Sequence, residues 1–166
     1  MTQLTGVPLA LRAVTGEDEA ALARFLDGLT LRSRYLRFCS AGTDTAAVAR
    51  RLARAGSDRW GVVACERGGE IVGHAEYLIV APGTAEVAVV VADAAQGQGL
   101  GTSLVARVAE HAARHGVTRM VATVLPDNVA MTRLFQRRFG ATVRDLGGEL
   151  RVAFPVDAPS GLPLAA

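Results

Sequence analysis

A glycine-rich turn, Gln96-Gly97-Gln98-Gly99-Leu100-Gly101-Thr102, follows the most apolar run of the chain and opens an amphipathic helical stretch. A helix start exposes unpaired N–H groups at the positive end of its dipole, and glycines let an anion approach them with no side chain between. The segment is therefore suited to hold a pyrophosphate, although a plain strand-to-helix turn has the same composition. It is not the dinucleotide fingerprint, because a GxGxxG begun at Gly97 would need glycine where Thr102 stands. Ten residues before Gln96, Glu86 interrupts the apolar run Ala85-Glu86-Val87-Ala88-Val89-Val90-Val91. An unpaired carboxylate buried there would be costly. Strand alternation places it on one face with Ala88 and Val90, residues small enough to leave room for a substrate. It is either a proton acceptor or a strand-end group facing solvent or an arginine.

The remaining reactive side chains are less suggestive. His74 and Glu76 share a strand face and could reach an acceptor channel, but a hydrogen-bonded sheet histidine and a surface carboxylate are the plainer reading. His111 and His115, four apart on a helix, resemble a metal pair, yet no third ligand or acidic partner suits them; a solvated helix face and no metal are expected. Cys39 and Cys65 lack a companion histidine motif for acyl-cysteine chemistry and are too few for a disulfide framework. Every basic side chain is arginine, which excludes a Walker A phosphate loop and lysine-based Schiff-base or pyridoxal phosphate chemistry. The net charge of +2 and 5% aromatic content do not suit a nucleic-acid binder.

The elements that must position these residues follow from periodicity. Leu9 to Val14 reads as a strand, Thr15 caps a helix through Leu29, Ser33 to Phe38 is a short helix or a loop, and Asp44 to Ala55 is helical. Trp60 to Glu66, Glu70 to Val80 and Ala85 to Ala92, joined at Gly68-Gly69 and Pro82-Gly83, form an antiparallel meander. A helix then runs to His115, with Leu100, Leu104, Val108 and Ala112 on one face, followed by a strand from Met120 to Leu125. A helix from Asn128 to Phe139 and two strands within Thr142 to Phe154 complete the pattern. The expected fold class is α+β, a central mixed, mostly antiparallel sheet with helices on both faces. One domain over residues 1–156 is expected, with a disordered tail over 157–166. No apolar run reaches the ~18 residues of a membrane span and no secretory leader is evident, so a cytoplasmic protein without membrane partners is expected.

Gln96-x-x-Gly99-x-Gly101 resembles the acetyl-CoA signature of the GNAT superfamily of N-acetyltransferases, Q/R-x-x-G-x-G/A. The segment Asn128-x-x-Met131-x-x-x-Phe135-x-x-x-Phe139-Gly140-Ala141 is similar to a second motif of that superfamily, and the order of elements matches over residues ~9–154. The resemblance implies that acetyl-CoA is the co-substrate. It implies that the backbone of Val89, Val90 and Val91 pairs with the pantetheine arm, that Gln96 to Thr102 cradles the pyrophosphate, and that the Asn128 amide bonds the pantetheine. The tyrosine with which many relatives reprotonate the departing thiolate falls at Phe135, which cannot donate a proton; water would take that role.

Acetyl transfer to an amine needs the amine uncharged, and a lysine of pKa ~10.4 is neutral only ~0.04% of the time at pH 7, a handicap of ~4.6 kcal/mol. Glu86 is the expected general base. Glu86-x-Ala88-x-x-Val91, ten residues before Gln96, resembles the base-bearing strand of the bacterial protein lysine acetyltransferases called Pat. The ribosomal-protein N-terminal acetyltransferases instead carry a glutamate five residues before the asparagine, where this chain has Thr123. Ser33-Arg34-Tyr35-Leu36-Arg37-Phe38 also looks like a Pat segment. The implied acceptor is a lysine of a protein such as an AMP-forming acyl-CoA synthetase. The alternatives are a small-molecule amine N-acetyltransferase and a non-catalytic acyl-CoA-sensing module. The run of Arg32, Arg34, Arg37, Arg50, Arg51, Arg54 and Arg59, opposed only by Asp44 and Asp58, could dock an acidic partner, meet the 3′-phosphate of coenzyme A, or form a solvated face.

Overall fold

The computed structural model describes residues 2–4, 7–40, 42–54 and 56–157. The strands are β1 (Thr2–Leu4), β2 (Val7–Ala13), β3 (Arg59–Cys65), β4 (Ile71–Ala81), β5 (Thr84–Val91), β6 (Arg119–Val124), β7 (Thr142–Asp145) and β8 (Leu150–Pro155). They form one sheet in the order β1-β2-β3-β4-β5-β6-β8-β7, antiparallel throughout except at β5–β6. The helices are α1 (Glu19–Gly28), α2 (Leu31–Phe38), α3 (Thr45–Ala53), α4 (Leu100–Arg114) and α5 (Val129–Phe139). This is the mixed, mostly antiparallel α+β sheet that the periodicity predicts. Ser33 to Phe38 is helical, the body of α2, and β1 is an addition that its few residues could not signal. The expected tail lies, from 158 to 166, outside the described residues.

Each sheet face is covered by the apolar stripe of a helix. On one face α4 buries Leu100, Leu104, Val105, Val108 and Ala112 against Val62, Ala64, Ala75, Val87 and Val89. Each leucine or valine buried this way contributes about 1.5–3 kcal/mol. Gly73 lets the helix approach, since a Cβ there would meet Leu104 Cδ1 at 2.8 Å. On the opposite face α1 and α3 bury Leu22, Phe25, Leu26 and Leu52 against Val63, Cys65, Ile71 and Val90. Among the described residues no helix is long and apolar enough to cross a membrane.

The feature that shapes the site is a broken strand pair. β5 and β6 are in register only from Thr84↔Arg119 to Glu86↔Val121. Past Glu86 they part, and Val89 to Val91 keep β4 on one side with no strand on the other among the described residues.

Candidate active site

The gap where β5 and β6 part opens into a cavity of about 520 Å³. Val89, Val90, Val91, Gln96, Gly97, Gly99, Leu100, Gly101, Thr102 and Asn128, all predicted to meet the cofactor, line it. Gln98 does not; its amide donates to the Ala94 carbonyl at 3.2 Å. The strand edge leaves main-chain groups without a β-ladder, a geometry that accepts an extended ligand as an added strand.

Local backbone geometry explains the glycines of the turn. Gly97 (φ 76°) and Gly99 (φ 84°) lie in the left-handed region that favours glycine, and a Cβ at either would meet nothing within 4 Å. They therefore shape the turn while leaving its surface open. Gly101 serves packing: a Cβ there would come within 3.3 Å of Leu134 Cδ1 on α5. Gly99 caps α4 without a side-chain bond, so the first amides of this 15-residue helix are available to an anion at the positive end of its dipole.

A polar clasp ties α2 to this turn. Asp93 accepts from Thr30 N (3.0 Å), Thr30 Oγ1 (2.9 Å) and Ser33 Oγ (2.7 Å), while Gln96 Nε2 donates to Ser33 Oγ (3.2 Å) and Val91 O (3.1 Å). The Gln96 side chain thus braces the cradle from within the protein. Asn128 caps α5, accepting from Met131 N at 3.3 Å through Oδ1; none of the hydrogen bonds among the described residues uses its NH₂ group. The cavity also holds Arg133, Arg137 and Arg138 from α5. Sequence reasoning assigned them no role; the signal was Arg133 and Arg137 four apart on the helix that Asn128 opens. Phe135, on that helix, is buried against the Phe139 and Phe154 rings and belongs to the core.

Glu86 stands at the last position where β5 pairs with β6, half-buried, and accepts a hydrogen bond from Thr123 Oγ1 of β6 at 3.2 Å. Ladder register places its side chain on the face that carries Glu76 and Ala88, toward α1–α3. It does not line the large cavity, which runs from Val89 toward the glycine turn.

Two expectations about neighbouring residues are corrected. Glu76 is no surface carboxylate: it is 7% exposed and accepts from Arg37 Nη2 at 3.0 Å and from Arg51 Nη1 and Nη2 at 3.3 Å. Burial pushes its carboxyl up, but Arg37 foremost, with Arg51 and Arg59, reverses this and holds it below the usual carboxylate range. His74 is no hydrogen-bonded sheet histidine: it is fully buried, neither ring nitrogen has a partner among the described residues, and burial lowers its pKa to about 4. Through Arg37 and Arg51 the Glu76 carboxylate ties α2 and α3 to β4. The arginine run divides accordingly. Arg37 is buried on Glu76, Arg51 reaches the same carboxylate, and Arg32 lies 3.8 Å from Asp127.

His111 is not simply solvated. It stacks on Trp60 (3.9 Å between centroids) and on His115 (4.1 Å), and its Nδ1 lies 3.2 Å from the Tyr77 hydroxyl. Cys39 is exposed at the end of α2, and Cys65 is buried beneath α1 and α3.

A family model described as the acetyltransferase (GNAT) family matches residues 29–141. The GNAT domain of Pat from S. lividans superposes with a TM-score of 0.84 at 28% identity, over 93% of this chain and 94% of that one. A cAMP-binding acyltransferase from Mycobacterium smegmatis superposes at 0.64 with 25% identity, over 94% of this chain and 46% of that one. YncA from Salmonella typhimurium, solved with acetyl-CoA, shares the fold at a TM-score of 0.69 and 22% identity, over 95% of this chain and 99% of that one.

Proposed function

The chain belongs to the GNAT family of acetyl-CoA-dependent acetyltransferases, and from that premise we propose that it acetylates a lysine side chain of a protein, with Glu86 as the general base. The observation that carries the reading is the position of Glu86, a half-buried carboxylate at the point where β5 and β6 part, three residues before the cavity lining begins at Val89.

Acetyl-CoA fits the residues present. The unladdered edge of Val89 to Val91 would hold the pantetheine arm, and the open turn from Gly97 to Thr102 with the first amides of α4 would hold the pyrophosphate. Asn128 would offer its amide, and Arg133, Arg137 and Arg138 bring positive charge for the remaining phosphate. When bound, the thioester supplies an acetyl group activated toward attack by an amine.

The protein's own work is then to position the amine and remove its proton. Glu86 would accept that proton, directly or through one water, offsetting part of the ~4.6 kcal/mol that separates a charged lysine from its reactive form. The Thr123 hydroxyl orients the accepting carboxylate through Oε1. Phe135 lies in the core and donates nothing, so the thiolate, whose parent thiol has a pKa of ~8.5, would be reprotonated from water.

The preference for a protein acceptor rests on the spacing of Glu86 to Gln96, on Ser33 to Phe38, and on the likeness to a Pat GNAT domain. Thiol release from acetyl-CoA, measured with a purified AMP-forming acyl-CoA synthetase beside a panel of free amines, tests it. Release with the synthetase, lost when its target lysine is replaced, supports the reading. Release only with free amines moves the acceptor to small molecules, and silence with every acceptor removes catalysis from the proposal.

A further inference from the structure

A second cavity, of about 350 Å³, lies between α3 and the turn that leads into β3. Arg50, Arg51, Arg54 and Arg59 line it, against a single carboxylate, Asp58. Arg51 is held by Glu76, and Arg59 Nη1 donates to the Arg51 carbonyl at 3.4 Å, so both are fixed in place. Arg50 and Arg54 are exposed and make no ion pair among the described residues. Arg50 and Arg54, with no ion pair of their own and beside two further guanidinium groups, match a carboxylate-bearing ligand, for which their planar forks give paired hydrogen bonds.

The position of this cavity relative to Glu86 decides what it would serve. Arg59 pairs with Leu78, and Leu78 pairs with Glu86, so the three form one row across β3, β4 and β5 with side chains on one face. Two strand spacings put the backbones of Arg59 and Glu86 about 10 Å apart. α3 covers the neighbouring row, where Arg51 reaches Glu76. A chain that delivers an amine to Glu86 therefore has the arginine cavity beside it, at a distance that three or four extended residues span at ~3.3 Å each.

We propose that the cavity of Arg50, Arg51, Arg54 and Arg59 is a docking site for acidic residues of the protein acceptor, and that it selects lysines with a carboxylate three or four residues away. The proposal rests on the protein-lysine reading above and adds to it the charge of the preferred acceptor.

The test uses two fluorescent lysine peptides, one with glutamates three and four residues from the lysine, the other with glutamines there. Binding is followed by anisotropy with coenzyme A present, so that it needs no turnover. The wild-type protein is expected to bind the glutamate peptide roughly tenfold more tightly at low salt. That preference should fall at 0.5 M salt, shrink to within about twofold in R50E/R54E, and be intermediate in R50Q/R54Q. Thermal melts establish that both variants fold. Equal binding of the two peptides by the wild type overturns the docking site, as does a preference that both variants retain. Saturation by inorganic phosphate with no glutamate preference would mark a small-anion pocket and also overturns it. The same peptides in an acetylation assay separate this proposal from the one it rests on. A bound glutamate peptide that is never acetylated preserves an acidic docking face and removes the lysine-acceptor reading. Equal acetylation of both peptides, bound equally, does the reverse.

Discussion

The Thr123 hydroxyl donates to Glu86 Oε1 at 3.2 Å, bridging two neighbouring strands where their pairing ends. Position 123 is where, by the resemblance drawn from the sequence, a different branch of the superfamily carries a glutamate; here a threonine stands there and hydrogen-bonds the proposed base. Replacing Glu86 by Gln keeps the shape and removes the proton acceptor. Its kcat should fall by about 10²–10⁴-fold at neutral pH, with the affinity for acetyl-CoA unchanged by calorimetry. Thr123→Val should cost less, roughly tenfold or below in kcat, because it loosens the base without removing it. An E86Q enzyme of wild-type activity would place the base elsewhere.

The glycines of the turn should separate by mechanism. Ala at Gly97 or Gly99 forces a left-handed backbone on a residue with a Cβ, at a cost of about 1–2 kcal/mol each. Gly101→Ala instead presses on Leu134 across the α4–α5 contact. Urea melts of all three, alongside calorimetry with coenzyme A, should show stability lost in each. The affinity loss should be largest at Gly97 and Gly99, whose surfaces are open to the ligand.

How far these positions could be read from the chain depended on whether their partners were local. The strand, turn and helix that carry Val89 to Thr102 are contiguous, so alternation, glycine and helical periodicity describe them together, and the cavity they line follows. Glu86 stands out in the chain because a carboxylate interrupts an apolar run. Arg37 and Glu76 lie 39 residues apart, and nothing in either segment announces that α2 lowers a guanidinium onto β4; both read as surface groups. His74 likewise looked hydrogen-bonded only because a buried, unpartnered imidazole is the rarer outcome.

The Arg37–Glu76–Arg51 group should show the asymmetry of a buried ion pair. Glu76→Gln leaves Arg37 charged in the interior, a loss of about 3–5 kcal/mol by denaturant unfolding. Arg51 is nearly half exposed, and Glu76 keeps Arg37 without it, so Arg51→Gln should cost about 1 kcal/mol or less. Equal losses from the two substitutions would mean that Arg37 does not hold the pair.

His74 should make stability fall on mild acidification. Burial, opposed by the Glu76 charge, lowers its pKa to about 4, against about 6.5 for the unfolded chain. Between those values the unfolded chain binds a proton that the folded protein refuses, so the contribution is fully present above pH 6.5 and drains away as pH falls toward 4. The full width is about 3 kcal/mol. His111, also lowered to about 4, acts in the same window, but it is partly open to solvent and its share is smaller. Glu76 and Asp18, whose carboxyls are held below their ordinary values, lose their contributions only at lower pH, so this window reports the histidines. Urea unfolding at pH 7, 5.5 and 4.5 should show the wild type weakening at each step. In His74→Leu, of similar volume and without a titrating group, the decline should be clearly shallower. Parallel declines in the two proteins would show that the imidazole is accommodated in its charged form and that its burial does not set the acid sensitivity of the fold.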